Sequence, residues 1–163
     1  MAAGKTYEPI ATNTLGSAAA SVTFSSISGS YTDLVIVYDG RGTSGTSLYL
    51  QFNGDSSSNY SHTRILADGS SAISQRGSNN TIGSFISIVS TTQNNVIAQV
   101  QNYSNSTTYK TTLARSNNTT GYMGAYVSLW RSTAAINSIT ITTGTADTYV
   151  AGSTFTLYGI SAA

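Results

Sequence analysis

Hydrophobic and polar positions alternate with a period of two along most of this chain, most clearly across residues 95–130. There NVIAQVQNY, TYKTTLARS and YMGAYVSLW are separated by the turn-rich segments SNST and SNNTTG. Successive side chains of a strand point to opposite faces. No window places apolar residues at i, i+3, i+4 and i+7 over helical length. The three segments are therefore expected to be consecutive antiparallel strands. In the third, Met123, Ala125, Val127 and Leu129 share one face, while Tyr122, Tyr126 and Trp130 share the other with Gly124 and Ser128. The aliphatic face is expected to be the sheet core. The aromatic stripe, extending about 26 Å at roughly 3.3 Å per residue, is the face that needs a partner.

The same period recurs elsewhere. Residues 21–27 put Val22 and Phe24 on one side, and residues 47–53 put Leu48, Leu50 and Phe52 inward with Tyr49 and Gln51 outward. Ile139 with Ile141, and Phe155 with Leu157, form two further inward pairs. DLVIVYD at 33–39 is apolar on both faces, the mark of a strand covered on both sides. Residues 60–67 are ambiguous, because Tyr60, His62, Arg64 and Leu66 oppose Ser61, Thr63 and Ile65. Residues 68–80 read as a long polar loop, followed by a strand at 81–90. Residues 1–15 read as an extended N-terminal arm or an edge strand, because Pro9 has no backbone donor and excludes a central strand. Tyr7, Pro9 and Ile10 are the contact residues such an arm would offer. NGD at Asn53, DGS at Asp68 and SNNTTG before Tyr122 supply turn chemistry. Nine or ten short strands with turns between them predict an all-β, antiparallel, jelly-roll-like sandwich, one domain over 16–163.

Composition narrows the function. Charged residues make up 8% of the 163 positions, against roughly 25% in an ordinary soluble domain. Serine and threonine, 27 and 25 by count, supply nearly a third of the chain. A net charge of +1 without a basic run disfavours nucleic-acid binding, which needs clustered cations against phosphates. No cysteine is present, which removes disulfides and thiolate metal sites. The N-terminal residues show no apolar signal region, and the longest aliphatic run, 34–37, is far too short for a helix spanning a bilayer. No membrane partner is expected.

Candidate chemistry is sparse. Gly40-Arg41-Gly42-Thr43-Ser44-Gly45 matches G-x-G-x-x-G but runs into another strand instead of a helix, so a hairpin loop is expected and not a dinucleotide site. Gly4-Lys5-Thr6 lacks the upstream glycine of a P-loop. His62 is the only histidine and has no G-x-S-x-G serine to serve. Asp55 with Asn53 and Asn59 offers oxygen ligands of a calcium-loop type, although turn capping by the same residues is favoured. No catalytic residue, cofactor or metal site is expected. The stripe of Tyr122, Tyr126 and Trp130 has three readings: a core layer, a protein interface, or a platform on which sugars stack. In a chain without catalytic groups, core or subunit contact is favoured over the sugar platform.

The words YEPIATNTLGS, SVTFSSI, YTDLVIV, FNGDSSSNYS, QNYSNSTTYKTTLARSNN, LWRSTAAINSIT and GSTFTLYGI, in order over most of the chain, resemble a small β-domain of virion proteins of tailed bacteriophages, cyanophages and other aquatic phages among them. The resemblance implies a capsid decoration protein or a tail or fibre component, with no enzyme activity. The chain begins at its own Met, ends three residues after GSTFTLYGI and carries no shaft repeats. That favours a free-standing decoration (cement) subunit on the virion surface, on the head more than the tail. The expected partners are the major capsid protein and further copies of the chain, a homotrimer being favoured by the symmetry of shell surfaces, closed cyclic assemblies being the general rule. The alternative is a tail-fibre or receptor-binding module whose partner is a host glycan.

Overall fold

The computed structural model describes residues 6–89, 91–143 and 146–161, and these contain twelve strands and no helix. The strands are β1 (Tyr7–Thr14), β2 (Ser21–Phe24), β3 (Asp33–Gly40), β4 (Thr46–Phe52), β5 (Tyr60–Ala67), β6 (Ala72–Asn80), β7 (Gly83–Val89), β8 (Asn94–Gln101), β9 (Lys110–Asn118), β10 (Met123–Trp130), β11 (Ile139–Thr142) and β12 (Thr154–Ile160). Eight form one sheet in the order β1-β12-β3-β8-β9-β10-β5-β6, and four form a second in the order β2-β11-β4-β7. Every neighbouring pair is antiparallel. The architecture is an antiparallel β-sandwich. Its division into eight and four strands departs from the eight-stranded, two-Greek-key jelly roll.

One apolar core lies between the sheets. The smaller sheet contributes Val22, Phe24, Leu48, Leu50, Phe52, Phe85, Ile139 and Ile141; the larger contributes Leu34, Ile36, Tyr38, Val96, Ala98, Val100, Phe155 and Leu157. The inward pairs expected from alternation in β2, β4, β11 and β12 are all buried. The meander expected over 95–130 is β8-β9-β10, joined in continuous register.

Three expectations change. In β10 the faces are reversed: Gly124, Tyr126, Ser128 and Trp130 are buried, whereas Met123, Ala125 and Val127 are exposed. Register explains why. Tyr126 stands opposite Ala114, and Ala114 opposite Ala98, in the row that faces the small sheet. The small residues Gly124 and Ser128 let that sheet approach, and a Cβ on Gly124 would come within 2.7 Å of the Tyr126 ring. Aromatic rings bury more area than the aliphatic alternatives. Second, residues 72–80 are a strand and not part of a loop; β6 pairs with β5 while remaining exposed along nearly its whole length. Third, the glycine-rich segment 40–45 does not close a hairpin, because β3 belongs to the large sheet and β4 to the small one. Of the two readings of the N-terminal segment, the edge strand is the one seen from Tyr7 onward, paired with β12 and irregular in register between Pro9 and Ala11. Gly4 and Lys5 of the segment already set aside as a P-loop lie outside the described residues.

Candidate functional site

The aromatic stripe does not present a free surface. Tyr126 and Trp130 are in the core, and Tyr122 is partly buried against it. Trp130 stacks on Tyr60 with ring centroids 6.3 Å apart and meets Phe52 at 5.5 Å. Its indole Nε1 donates to Asp55 Oδ2 at 2.7 Å. Asp55 also accepts from the Ser57 backbone N–H at 2.8 Å and from Asn59 Nδ2 at 3.0 Å. Burial works to raise this carboxyl, but the hydrogen bonds from Asn59, Trp130 and Ser57 hold it at about 2. Asn53 Oδ1 accepts from the N–H groups of Asn137 and Ser138, and its Nδ2 donates to Ala135 O. The Asp55 and Asn53 oxygens considered for calcium therefore serve as acceptors, and Asn59 as a donor to Asp55, which fastens the loop 53–59 to the core tryptophan and to the 135–138 segment.

The other acids have local partners too. Asp33 accepts from Gln99 Nε2 at 2.6 Å and from Asn102 N–H at 2.8 Å, and Asp39 from Asn95 Nδ2 at 2.9 Å. Asp68 accepts from the N–H groups of Ser70 and Ser71, Asp147 from Ser44 Oγ, and Glu8 from Tyr31 Oη. Among the described residues no three His, Asp or Glu side chains come together. His62 lies on β5 with Asn80 Nδ2 3.3 Å from its Nδ1. Its imidazole is pushed below the ordinary histidine value by burial and by the Arg64 charge.

The surface that stands out is the outer face of the large sheet. Across it, Val37, Ile97, Arg115, Ala125 and Ile65 form one cross-strand row, and Val35, Gln99, Leu113, Val127 and Thr63 form the next. Met123 and Leu129 extend β10 at either end. Ile65, Ile97, Leu113, Met123 and Val127 are each between 39% and 57% exposed. Two shallow grooves of about 410 and 350 Å³ cross this face and share Ile97, Arg115 and Ala125. Four strand spacings by six residues give a patch of about 400 Å², within the range of about 300–600 Å² for the largest patch of a typical monomer, which is often functional. Arg115 stands in its middle with Ile97 and Ala125 opposite it and no carboxylate in its row. Arginine framed by apolar groups is the composition of an interface centre.

Two of the candidate arm residues adjoin this face. Tyr7 is exposed, contacts Tyr158 edge-on at 6.4 Å and lines the groove with Val35 and Leu113. Pro9 is exposed opposite Tyr158, whereas Ile10 turns inward against the core. Sequence reasoning assigned the Met123, Val127 and Leu129 face to the interior. The available signal was the presence of apolar residues on both sides of β10, which a strand with only one covered face does not need.

No protein-family model matches the chain, and no curated protein matches it. Among solved structures, the chain is similar to variants of the alginate lyase Aly36B. The form in complex with alginate tetrasaccharide matches at 11% identity and a TM-score of 0.31, over 82% of this chain and 72% of that one. A second form, with alginate trisaccharide, matches at 11% identity and a TM-score of 0.34, over 91% and 80%.

Proposed function

We propose that this chain is a non-enzymatic structural subunit of a bacteriophage virion, a decoration protein that docks the outer face of its eight-stranded sheet onto the assembled head. The observation that carries this reading is the exposed apolar patch on β8, β9, β10 and β5 with Arg115 at its centre. The carboxylates support it as well, because each has a structural hydrogen-bonding role and none is paired with another. The phage assignment rests on the sequence resemblance. A patch of about 400 Å² is half of one partner's share in a standard interface of about 1,600 Å². A single copy would therefore hold weakly. Tyr7 and Pro9 at the adjoining edge, and a trimeric arrangement, enlarge the contact with the major capsid protein.

The test uses purified virions and heads that lack the protein. The double variant Leu113→Lys with Val127→Glu places an opposite-charge pair at directly opposed positions and leaves the net charge unchanged. Burying those charges against a partner costs several kcal/mol, so binding to heads should fall by at least about a hundredfold with little change in thermal midpoint. Undiminished binding, or a low copy number confined to the tail, overturns the proposal. The tail location would favour the receptor-binding alternative.

A further inference from the structure

On the opposite face of the large sheet the small sheet stops short. The inward-facing residues of β5 are Tyr60, His62, Arg64 and Leu66; the outer two are buried in the core, while the middle two are partly exposed. Beside them opens a cleft of about 710 Å³, within the range of about 300–1,000 Å³ typical of small-molecule sites. Its walls are Tyr49 and Gln51 of β4, His62 and Arg64 of β5, and Asn79 and Asn80 at the end of β6. A sandwich normally fills inward positions such as those of His62 and Arg64 with apolar side chains. Tyr49 and Gln51 stand on the outward face of β4, and Ile82 is the one wall residue whose side chain has no hydrogen-bonding group.

The wall is also positioned. Gln75 Oε1 accepts from Arg64 Nε at 2.9 Å and from Nη2, which orients the guanidinium; among the described residues its Nη1 and Nη2 end is left to meet a ligand. Gly77 lies against the His62 ring, where an added Cβ would come 2.5 Å from Cε1. The register between β5 and β6 shifts there, and Asn79 holds a left-handed φ of 55° with its Oδ1 accepting from Arg131 at 2.9 Å. Bulges and left-handed residues concentrate where a sheet re-aims side chains toward a site. No carboxylate lines the cleft, and Arg64 is its only permanent charge.

We infer that this cleft binds a saccharide bearing a carboxylate, the Arg64 guanidinium taking the uronate group while Gln51, Asn79, Asn80 and Tyr49 meet ring hydroxyls. Planar guanidinium–carboxylate recognition is bidentate, whereas a lysine would offer only a point charge. With its pKa lowered, His62 is neutral at pH 7 and acts as a hydrogen-bonding wall. This site is separate from the outer face and does not depend on the assembly role.

The experiment follows amide NMR spectra of the full chain during titration with galacturonate and hyaluronan tetrasaccharides, neutral chitotetraose, and inorganic phosphate, each to about 10 mM, a range that detects affinities near −4 kcal/mol. At least one uronate probe should shift amides within residues 49–51, 62–64 and 75–84, and bind at least about tenfold more tightly than the neutral sugar or phosphate. Arg64→Gln should weaken that binding at least tenfold. Arg64→Lys should also weaken it, and serves if the first variant is destabilised. Arg76→Gln, which removes a charge from the outer face, should leave it unchanged. Absence of uronate binding, shifts confined to other strands, equal affinity for chitotetraose or phosphate, or full binding by both Arg64 variants overturns the inference.

Discussion

Adjacent residues of β10 provide a sharp test of which face is covered. Tyr126 is 1% exposed and Val127 is 50% exposed, although valine is the more hydrophobic on most scales. Removing the Tyr126 ring leaves a cavity in the core, and truncations of large aromatic core residues cost about 3–5 kcal/mol. Full burial of a valine contributes roughly 1.5–3 kcal/mol. Half of that surface already faces water here, and a lysine stem can cover what remains. Val127→Lys should therefore cost at most about 1 kcal/mol. Urea unfolding of the isolated protein separates the two outcomes. With a slope of roughly 2 kcal/mol per molar, Tyr126→Ala should lower the midpoint by about 1.5–2.5 M and Val127→Lys by no more than about 0.5 M. A loss above about 2 kcal/mol for Val127→Lys, or below about 1 kcal/mol for Tyr126→Ala, would mean that the aliphatic face is the covered one.

Four further outcomes follow from buried and hydrogen-bonded side chains. Tyr149 Oη is buried without a hydrogen-bond partner among the described residues, so Tyr149→Phe should leave thermal stability unchanged or raise it. Tyr103→Phe should cost about 1–2 kcal/mol, because Tyr103 Oη donates to Ser28 O and accepts from Tyr31 N–H; equal effects in a melting assay would contradict the assignment. Gly124→Ala should cost about 1–3 kcal/mol by overpacking, since the new Cβ would meet Tyr126, Leu66 and Ser116 at 2.7–3.1 Å; a neutral result by calorimetry would show that the ring has room to move. Asp55 titrates at about 2, below its ordinary 3.8, so its stabilising contribution is present above pH 4 and is lost as pH falls toward 2. Asp55→Asn should flatten that acid limb in denaturation curves taken across the window, and an unchanged limb would assign it to other groups.

Alternation made the small sheet legible. Leu48, Leu50 and Phe52, and Ile139 with Ile141, have polar residues between them, so only one face is available for the core. In β10 both faces are apolar, and nothing local to the strand decides between them. The neighbours decide, and they are themselves equivocal: β9 turns Lys110, Thr112 and Ser116 inward and Leu113 outward. The buried Lys110 amine is accommodated by donating to the carbonyls of Thr108 and Thr133, at 2.7 and 3.2 Å. β6 escaped notice because a strand that is wet on both sides has no reason to alternate. The passage from β3 to β4 looked like a hairpin because a change of sheet leaves no mark in turn chemistry. The cleft residues are scattered over three strands, and only the overhang of β5 and β6 beyond the small sheet brings them together.

Pairing of the first strand with the last fixes the order in which this sheet can be completed. Thr6 O accepts from Ser161 N–H at 3.1 Å, and β12 lies between β1 and β3. During synthesis β3 can dock on β8, but its other edge stays unpaired until residue 160 has emerged, and β1 has no place until then. Closing a loop of that span is slow, and an exposed strand edge is a template for other chains. The register irregularity around Pro9 then matters before folding as well as after it, since a strand with a missing donor is a poor partner for an intermolecular ladder. A permuted chain that joins residue 161 to residue 6 and opens at the exposed 104–108 turn would deliver β12 and β1 together, and should fold faster with less aggregation.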